Sequence, residues 1–179
     1  MNTSSAFLRP ATLADAPGIA QVHVDSWAAA YRELMPPEAI ASRPVDVRIA
    51  QWSEWLEQHE PGSIWVAEVQ GQVCGFVSGG PTRGEWQRQA PGEIYALYLM
   101  PGAFGQGLGR LLFEQMRTEL AARGFERHWV WVLETNLKAR AFYEKMGGVW
   151  AAQSEIQIGE PPLAFQEVAY LFSGSQPDR

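Results

Sequence analysis

Residues 104–110 read FGQGLGR and run straight into LLFEQM. Three glycines, Gly105, Gly107 and Gly109, stand at alternate positions where an amphipathic helix begins. Each ordered glycine costs roughly 1 kcal/mol relative to alanine, and close approach of a ligand to bare backbone is the usual offset. Before this turn lies EIYALYLM, Glu93 to Met100, an apolar run of strand length. After the helix, His128 to Leu133 reads as another strand. Strand, glycine turn, helix and strand in that order form a βαβ unit with a parallel pair. That unit demands a sheet with helices packed on it.

A turn between a strand's C-terminal end and a helix N-terminus is a ready anion cradle. Unpaired N–H groups converge there and the helix dipole favours negative charge. A glycine turn without a ligand satisfies the same residues. The dinucleotide fingerprint is absent, because Gly105 and Gly107 would require a glycine where Arg110 stands. A P-loop is absent too, since no Lys-Ser or Lys-Thr pair follows.

The rest of the chain supplies the sheet. Phe7-Leu8-Arg9 reads as a short first strand, and Thr12 three residues before Asp15 as a variant capping box. Ile19, Val22, His23, Trp27, Ala30 and Tyr31 recur at helical spacing, predicting a helix to about Leu34 that Pro36-Pro37 ends. A second helix is predicted over Val45 to Gln58, broken by Pro61-Gly62. Ile64 to Val69 and Val73 to Ser78 flank Gln70-Gly71-Gln72 as a hairpin, and Gly79 to Pro91 reads as a loop. The helix with Leu108, Leu111, Leu112, Met116 and Leu120 stops near Arg123-Gly124, and a shorter one covers Lys138 to Met146. Val149 to Ile158 and Ala164 to Leu171 form a last strand pair around Gly159-Glu160-Pro161-Pro162. This order predicts an α+β fold with a mixed sheet, in a single domain over residues 1–179.

Composition narrows the function classes. At 46% hydrophobic and 19% charged the chain is globular rather than disordered. A formal charge of −6 disfavours a nucleic-acid partner and is compatible with a cationic substrate. Cys74 is the only cysteine, which fits a reducing compartment. The absence of a basic, apolar leader and of any span-length apolar run predicts a cytoplasmic protein with no membrane partner. His59 and His128 have no metal-ligand spacing, so no metal is expected.

EIYALYLMP (93–101), GQGLGRLL (105–112) and LETNLKARAFYEKMGG (133–148) together resemble the GCN5-related N-acetyltransferase, or GNAT, superfamily. LRPATLADAPGIAQVHVDSWAAAYREL near the start is similar to many members as well. The resemblance implies a mixed, mostly antiparallel twisted sheet flanked by helices, with a central splayed parallel strand pair. It implies acetyl-CoA as cofactor, with CoA as product, and direct attack by a primary amine in a ternary complex. The acceptor would be a small-molecule or peptide amine. Homodimers are common in such proteins, and exposed Trp or the C-terminal strands are the expected interface.

The same resemblance assigns site residues. The central strand would carry a bulge, with the backbone of Leu97 and Leu99 pairing with the pantetheine arm and the Leu97 or Tyr98 amide polarising the thioester. Phe104, Gly105, Gln106, Gly107, Leu108, Gly109 and Arg110 would form the pyrophosphate loop. Phe104 stands where the family places Arg or Gln, so backbone amides rather than a side chain would act there. Asn136, Ala139, Phe142 and Tyr143 belong to the second motif. Glu93 would be the base, directly or through water, and Tyr143 the acid or the group that holds the sulfur. Trp27, Tyr31 and Glu33 at the first helix, and Trp86 in the loop before Glu93, would wall the acceptor site.

Each assignment has a plainer counterpart. Glu93 reads equally as a solvated strand edge, Asn136 as a helix N-cap, and Trp27, Tyr31 and Tyr143 as core. His23 reads as a satisfied core histidine. Two other functions fit the same fold: transfer of a longer acyl chain or to a hydroxyl, and acyl-CoA binding without turnover, as in a sensor or assembly module.

Overall fold

The computed structural model describes residues 6–41, 44–60, 63–159 and 161–174. The break expected at Pro61-Gly62 and residue Glu160 of the last turn lie outside the described residues. The elements are β1 (Phe7–Pro10), α1 (Ala16–Tyr31), α2 (Pro37–Ala41), α3 (Val45–Gln58), β2 (Ile64–Val69), β3 (Gln72–Pro81) and β4 (Gly92–Leu99). They continue with α4 (Leu108–Ala122), β5 (His128–Leu133), α5 (Leu137–Lys145), β6 (Val149–Ile158) and β7 (Leu163–Phe172). The strands make one sheet in the order β1-β2-β3-β4-β5-β7-β6. Every neighbouring pair is antiparallel except β4 and β5, the parallel pair of the expected βαβ unit.

Local chemistry explains most boundaries. Gln70 and Gly71 both have positive φ, 52° and 79°, as a tight two-residue hairpin turn requires between Val69 and Gln72. The Asp15 carboxylate accepts from the Thr12 amide at 2.8 Å and is gripped by Arg9 at 2.7 and 2.8 Å, which fixes the start of α1. Arg9 in turn holds Glu68, so one ion-pair group ties β1, β2 and α1 together.

Three boundaries differ from the sequence reading. The first helix ends at Tyr31, and a short helix begins at Pro37, since proline is tolerated in a helix's first turn. β3 runs on through Gly79 and Gly80 to Pro81, where a loop was expected. The reason is a bulge opposite. Ser78 pairs with Ala96 and Gly79 with Ile94, which leaves Tyr95 as the extra residue. A Cβ at Gly79 would stand 2.9 Å from the Glu93 carbonyl oxygen and from the Met116 sulfur, so the glycine permits the ladder to continue there. Gly84–Arg88, within the expected loop, forms a 3-10 turn.

Helices cover both faces of the sheet. On one face α1 and α3 bury Ile19, Val22 and Trp52 against Val66 and Phe76. On the other, α4 buries Leu112, Phe113, Met116 and Leu120 against Val130, Val132, Tyr170 and Phe172. The bulge matters for the site because it turns both Tyr95 and Ala96 toward the α1–α3 face. Leu97 and Leu99 are left on the α4 face.

Candidate active site

β4 and β5 pair only at Gly92–Ile94 with His128–Val130. β4 then stays with β3 as far as Leu99, and β5 stays with β7 as far as Leu133. The sheet therefore splits between Tyr95–Leu99 and Trp131–Leu133. The Met100 amide donates to the Cys74 carbonyl at 2.8 Å, which sets the hydrogen-bonding phase of β4. Alternate amides in an antiparallel ladder point to opposite sides. Those of Ala96 and Tyr98 face β3, and those of Leu97 and Leu99 face the split. Of the two amides expected to polarise a thioester, only that of Leu97 is offered to the opening. The Tyr98 amide is spent in the ladder.

The glycine turn lies at the α4 end of this split. Gly105 and Gly107 have φ of 77° and 82°, a region that disfavours other residues, and a Cβ at either would meet nothing within 4 Å. Gly107 is the N-cap of α4 and brings no side chain to its amides; the first intrahelical bond runs from the Leu111 amide to the Gly107 carbonyl. The amides of Leu108, Gly109 and Arg110 are thus the helix-start donors left for another partner. No acidic residue stands in this first turn. Phe104 and Arg110 are exposed, Leu108 is buried, and Gln106 closes the turn by donating to the Gly102 carbonyl at 2.9 Å. Bare glycine backbone, unused helix-start amides and an open strand edge suit a diphosphate joined to an amide-containing arm. A CoA thioester has that chemistry.

α5 begins at the far lip of the split. Asn136 is its N-cap: Oδ1 accepts from the Ala139 amide at 3.1 Å, and Nδ2 donates to the Tyr31 hydroxyl at 3.1 Å. The Ala139 amide is therefore occupied. Phe142 packs edge-on to Phe113 beneath the glycine turn. Tyr143 is buried among Phe113, Phe142 and Tyr170. Burial, and next the nearby Tyr31 phenol, push the Tyr143 phenol above its ordinary value of 10. Burial likewise lifts Tyr98 well above 10, with Tyr31 and Tyr143 adding to it. Three phenols from α1, β4 and α5 thus share one neighbourhood at the opening, and each stays protonated through neutral pH.

Glu93 is 3% exposed, and both its oxygens are taken. Oε2 accepts from the Arg83 amide at 3.0 Å, and Oε1 from the Arg83 guanidinium at 2.6 and 3.2 Å. The same guanidinium lies 4.3 Å from the centre of the Tyr95 ring. Tyr95 is pushed up to about 12 by burial and by Glu93. The solvated-edge alternative for Glu93 does not hold. With Arg83 on both oxygens, Glu93 is poorly placed to take a proton directly from a substrate.

On the α1–α3 face lies a cavity of about 380 Å³, lined by His23, Trp52, Trp55, Arg83, Tyr95 and Tyr98 among others. The Trp52 indole N–H donates to His23 Nδ1 at 3.2 Å, and the His23 ring stacks on Tyr98 at 4.8 Å. His23 is buried and bonded, as a core histidine would be, and it is also cavity wall. Trp27 stands beside Tyr31 and Tyr98, at 4.4 and 6.4 Å between ring centres. Trp86 packs edge-on to Trp129 and tilted against Trp131, and it is not part of the cavity lining. Glu33 is exposed in the turn after α1 and is not part of the cavity lining.

Sequence reasoning missed Arg83, Tyr95, Trp52 and Trp55 as site residues. Spacing held part of the signal: Trp52, Trp55 and His59 fall on one helix face. Tyr95 joins the cavity lining through the bulge, which no residue spacing announces.

The model of the acetyltransferase (GNAT) family matches residues 25–148. The uncharacterized N-acetyltransferase YuaI of Bacillus subtilis is 34% identical over 84% of this chain and 84% of its own. The yncA structure of Salmonella typhimurium, solved with its cofactor acetyl-CoA, superposes with a TM-score of 0.70 at 19% identity, over 98% of both chains. The PaiA N-acetyltransferase of Thermoplasma acidophilum, solved in complex with coenzyme A, gives 0.68 at 17% identity, over 94% of this chain and 99% of the other. At these identities the two structures speak for the fold. None of the described helices is long and apolar enough to cross a membrane.

Proposed function

From the premise that this chain belongs to the GNAT acetyltransferase family, we propose that it moves an acetyl group from acetyl-CoA to a primary amine within the split between β4 and β5. One observation carries the reading: an uncapped helix start with bare glycine backbone opens onto a strand edge with unpaired amides. In this reading the amides of Leu108, Gly109 and Arg110 hold the diphosphate, and the Leu99 amide and the Leu97 carbonyl on the open strand edge hold the pantetheine arm. When bound, acetyl-CoA supplies an acetyl group activated as a thioester.

The remaining chemistry belongs to the chain. The Leu97 N–H is offered to the carbonyl oxygen, where negative charge develops. Tyr143 holds a proton at its hydroxyl near the leaving sulfur. An ordinary thiol titrates near 8.5, below a phenol whose pKa burial has raised. Complete proton transfer to the thiolate is therefore uphill, and Tyr143 serves as hydrogen-bond donor to the sulfur. Glu93, engaged by Arg83 at both oxygens, contributes negative charge that favours a cationic acceptor. The acceptor enters from the α1–α3 face, where Trp27, Tyr31 and the aromatic cavity give it an apolar wall, so donor and acceptor approach from opposite faces.

A panel of primary amines, each with its hydroxyl analogue, tests the reaction class. With acetyl-CoA present, one or more amines are expected to gain a single acetyl group with matching release of thiol. Turnover confined to hydroxyl acceptors, or donor binding with no turnover, would contradict the reading.

A further inference from the structure

We propose that Glu167, across the split from Glu93, is the carboxylate that receives the acceptor's ammonium group and takes its proton. The proposal rests on the acetyltransferase reading and names the group that meets the substrate in that site.

Register and packing locate the side chain. Glu167 pairs with Leu133 on β5 and Ser154 on β6. Its even-numbered neighbours on β7, Val168, Tyr170 and Phe172, pack on the α4 face. Ala169 and Leu171 pack on the opposite face with Trp86, Trp129 and Trp131, and Phe165 packs with Trp27, Tyr31 and Leu133. Period-two alternation places Glu167 with this second set. It stands between the Trp27–Tyr31 pair and the Trp86–Trp131 pair, the aromatic residues at the acceptor face. β5 leaves its ladder with β4 after Val130, so Trp131 is the first β5 residue in the split. Half-buried Trp131 shares this face, at a level between Glu93, beside Trp129, and Glu167, beside Leu133. An indole between two carboxylate levels suits a cation.

The two carboxylates differ in what they have left to give. Glu93 spends both oxygens on Arg83. Glu167 is half-buried, and its carboxylate has no hydrogen-bond or ion-pair partner among the described residues. All its acceptor capacity remains for a ligand. Burial first, and then the charge of Glu93, hold its pKa above the usual carboxylate range, while Arg83 pulls it down. A carboxylate raised in this way is the better proton acceptor. The other groups facing it are Tyr31 from α1, a phenol that burial keeps protonated, and the uncharged Leu133 and Ser154.

The step is a simple proton transfer. An ammonium N–H proton passes to a Glu167 oxygen, leaving a neutral amine with its lone pair and a neutral carboxyl. The amine nitrogen then bonds to the acetyl carbon as the carbon–sulfur bond breaks; the nitrogen's surplus proton passes to the departing thiolate, giving amide and free thiol, and Glu167 later releases its own proton to water.

The experiment compares wild type, E167Q, Glu167→Asp and E93Q at saturating acetyl-CoA. It reads kcat/KM for a turned-over amine from roughly pH 5 to 9, and the thermal shift with acetyl-CoA alone. E167Q is expected to lose about 100-fold or more in kcat/KM and the acidic limb of the profile, with the thermal shift kept. Glu167→Asp is expected to keep the limb at a reduced rate. E93Q is expected to keep an acidic limb and to move it to lower pH, since the charge that raises Glu167 is gone. E167Q with a wild-type rate and profile overturns the assignment, as does a limb that disappears in E93Q and survives in E167Q. A wild type with neither thermal shift nor amine turnover overturns the acetyltransferase reading, and this assignment with it.

Discussion

Gly109→Ala is expected to stabilise the free protein and weaken donor binding in the same molecule. Gly109 is the second residue of α4, inside a regular helix. A Cβ there would make only ordinary contacts, 3.4 Å from a Leu99 methyl and 3.8 Å from the Phe142 ring. Alanine is favoured over glycine in a helix by up to about 1 kcal/mol, which raises Tm by about 2–4 °C in a chain of this size. The same methyl projects from the backbone proposed to carry the diphosphate. Losing one charge-assisted hydrogen bond costs about 1.5–3 kcal/mol, or roughly 10- to 100-fold in Kd. Calorimetric titration with CoA, set beside the melting curve of the free protein, reads both effects. Unchanged affinity would mean that the glycine serves the turn and not a ligand. Gly107→Ala is the control of opposite sign: its φ of 82° makes any side chain costly, so it should lower the stability of the free protein.

Tyr143→Phe is expected to lower kcat by about 10- to 100-fold, the worth of one hydrogen bond to a charged group. The affinity for CoA should stay within about twofold, because the phosphate and pantetheine contacts assigned above are all made by backbone groups. Phenylalanine preserves the packing of the ring against Phe113, Phe142 and Tyr170. The melting temperature should therefore hardly move, which separates a chemical role from a structural one. Equal kcat in the variant would remove Tyr143 from the mechanism and leave it as core.

What could be read from residues alone follows from how local the signal is. The βαβ unit was legible because apolar runs, a glycine turn and a helical period sit in unbroken sequence. Gln70-Gly71 announced its hairpin because the turn itself demands positive φ. The amides of Leu97 and Leu99 were assignable from the family likeness, and the ladder phase set by Met100 agrees. The Tyr98 amide was misassigned because alternation cannot be phased until one hydrogen bond is known.

The acceptor side was much less legible. Glu93 looked free because its partner Arg83 lies ten residues back, in a stretch read as loop, and the pairing of Gly80 with Glu93 and of Pro81 with Gly92 brings the two together. Trp52 and His23 are 29 residues apart and meet through helix packing. Trp86 carried the right residue type, but it packs against Trp129 and Trp131 rather than lining the cavity. Glu167 gave no signal in sequence, since its face depends on the register of β7 against β5. Local pattern thus specified the glycine turn and the strand beside it, while long-range pairing specifies the aromatic cavity.

The central claim is that the split beside the glycine turn holds a CoA thioester. A thermal-shift comparison of acetyl-CoA and CoA with NAD and ATP tests it most directly. A ligand at 100 times its Kd stabilises the folded chain by about 2.7 kcal/mol, which raises Tm by several degrees, roughly 5–10 °C. The account predicts a rise of that size with acetyl-CoA and with CoA, and little with NAD or ATP. No rise with either CoA compound, or an equal rise with all four, would contradict it.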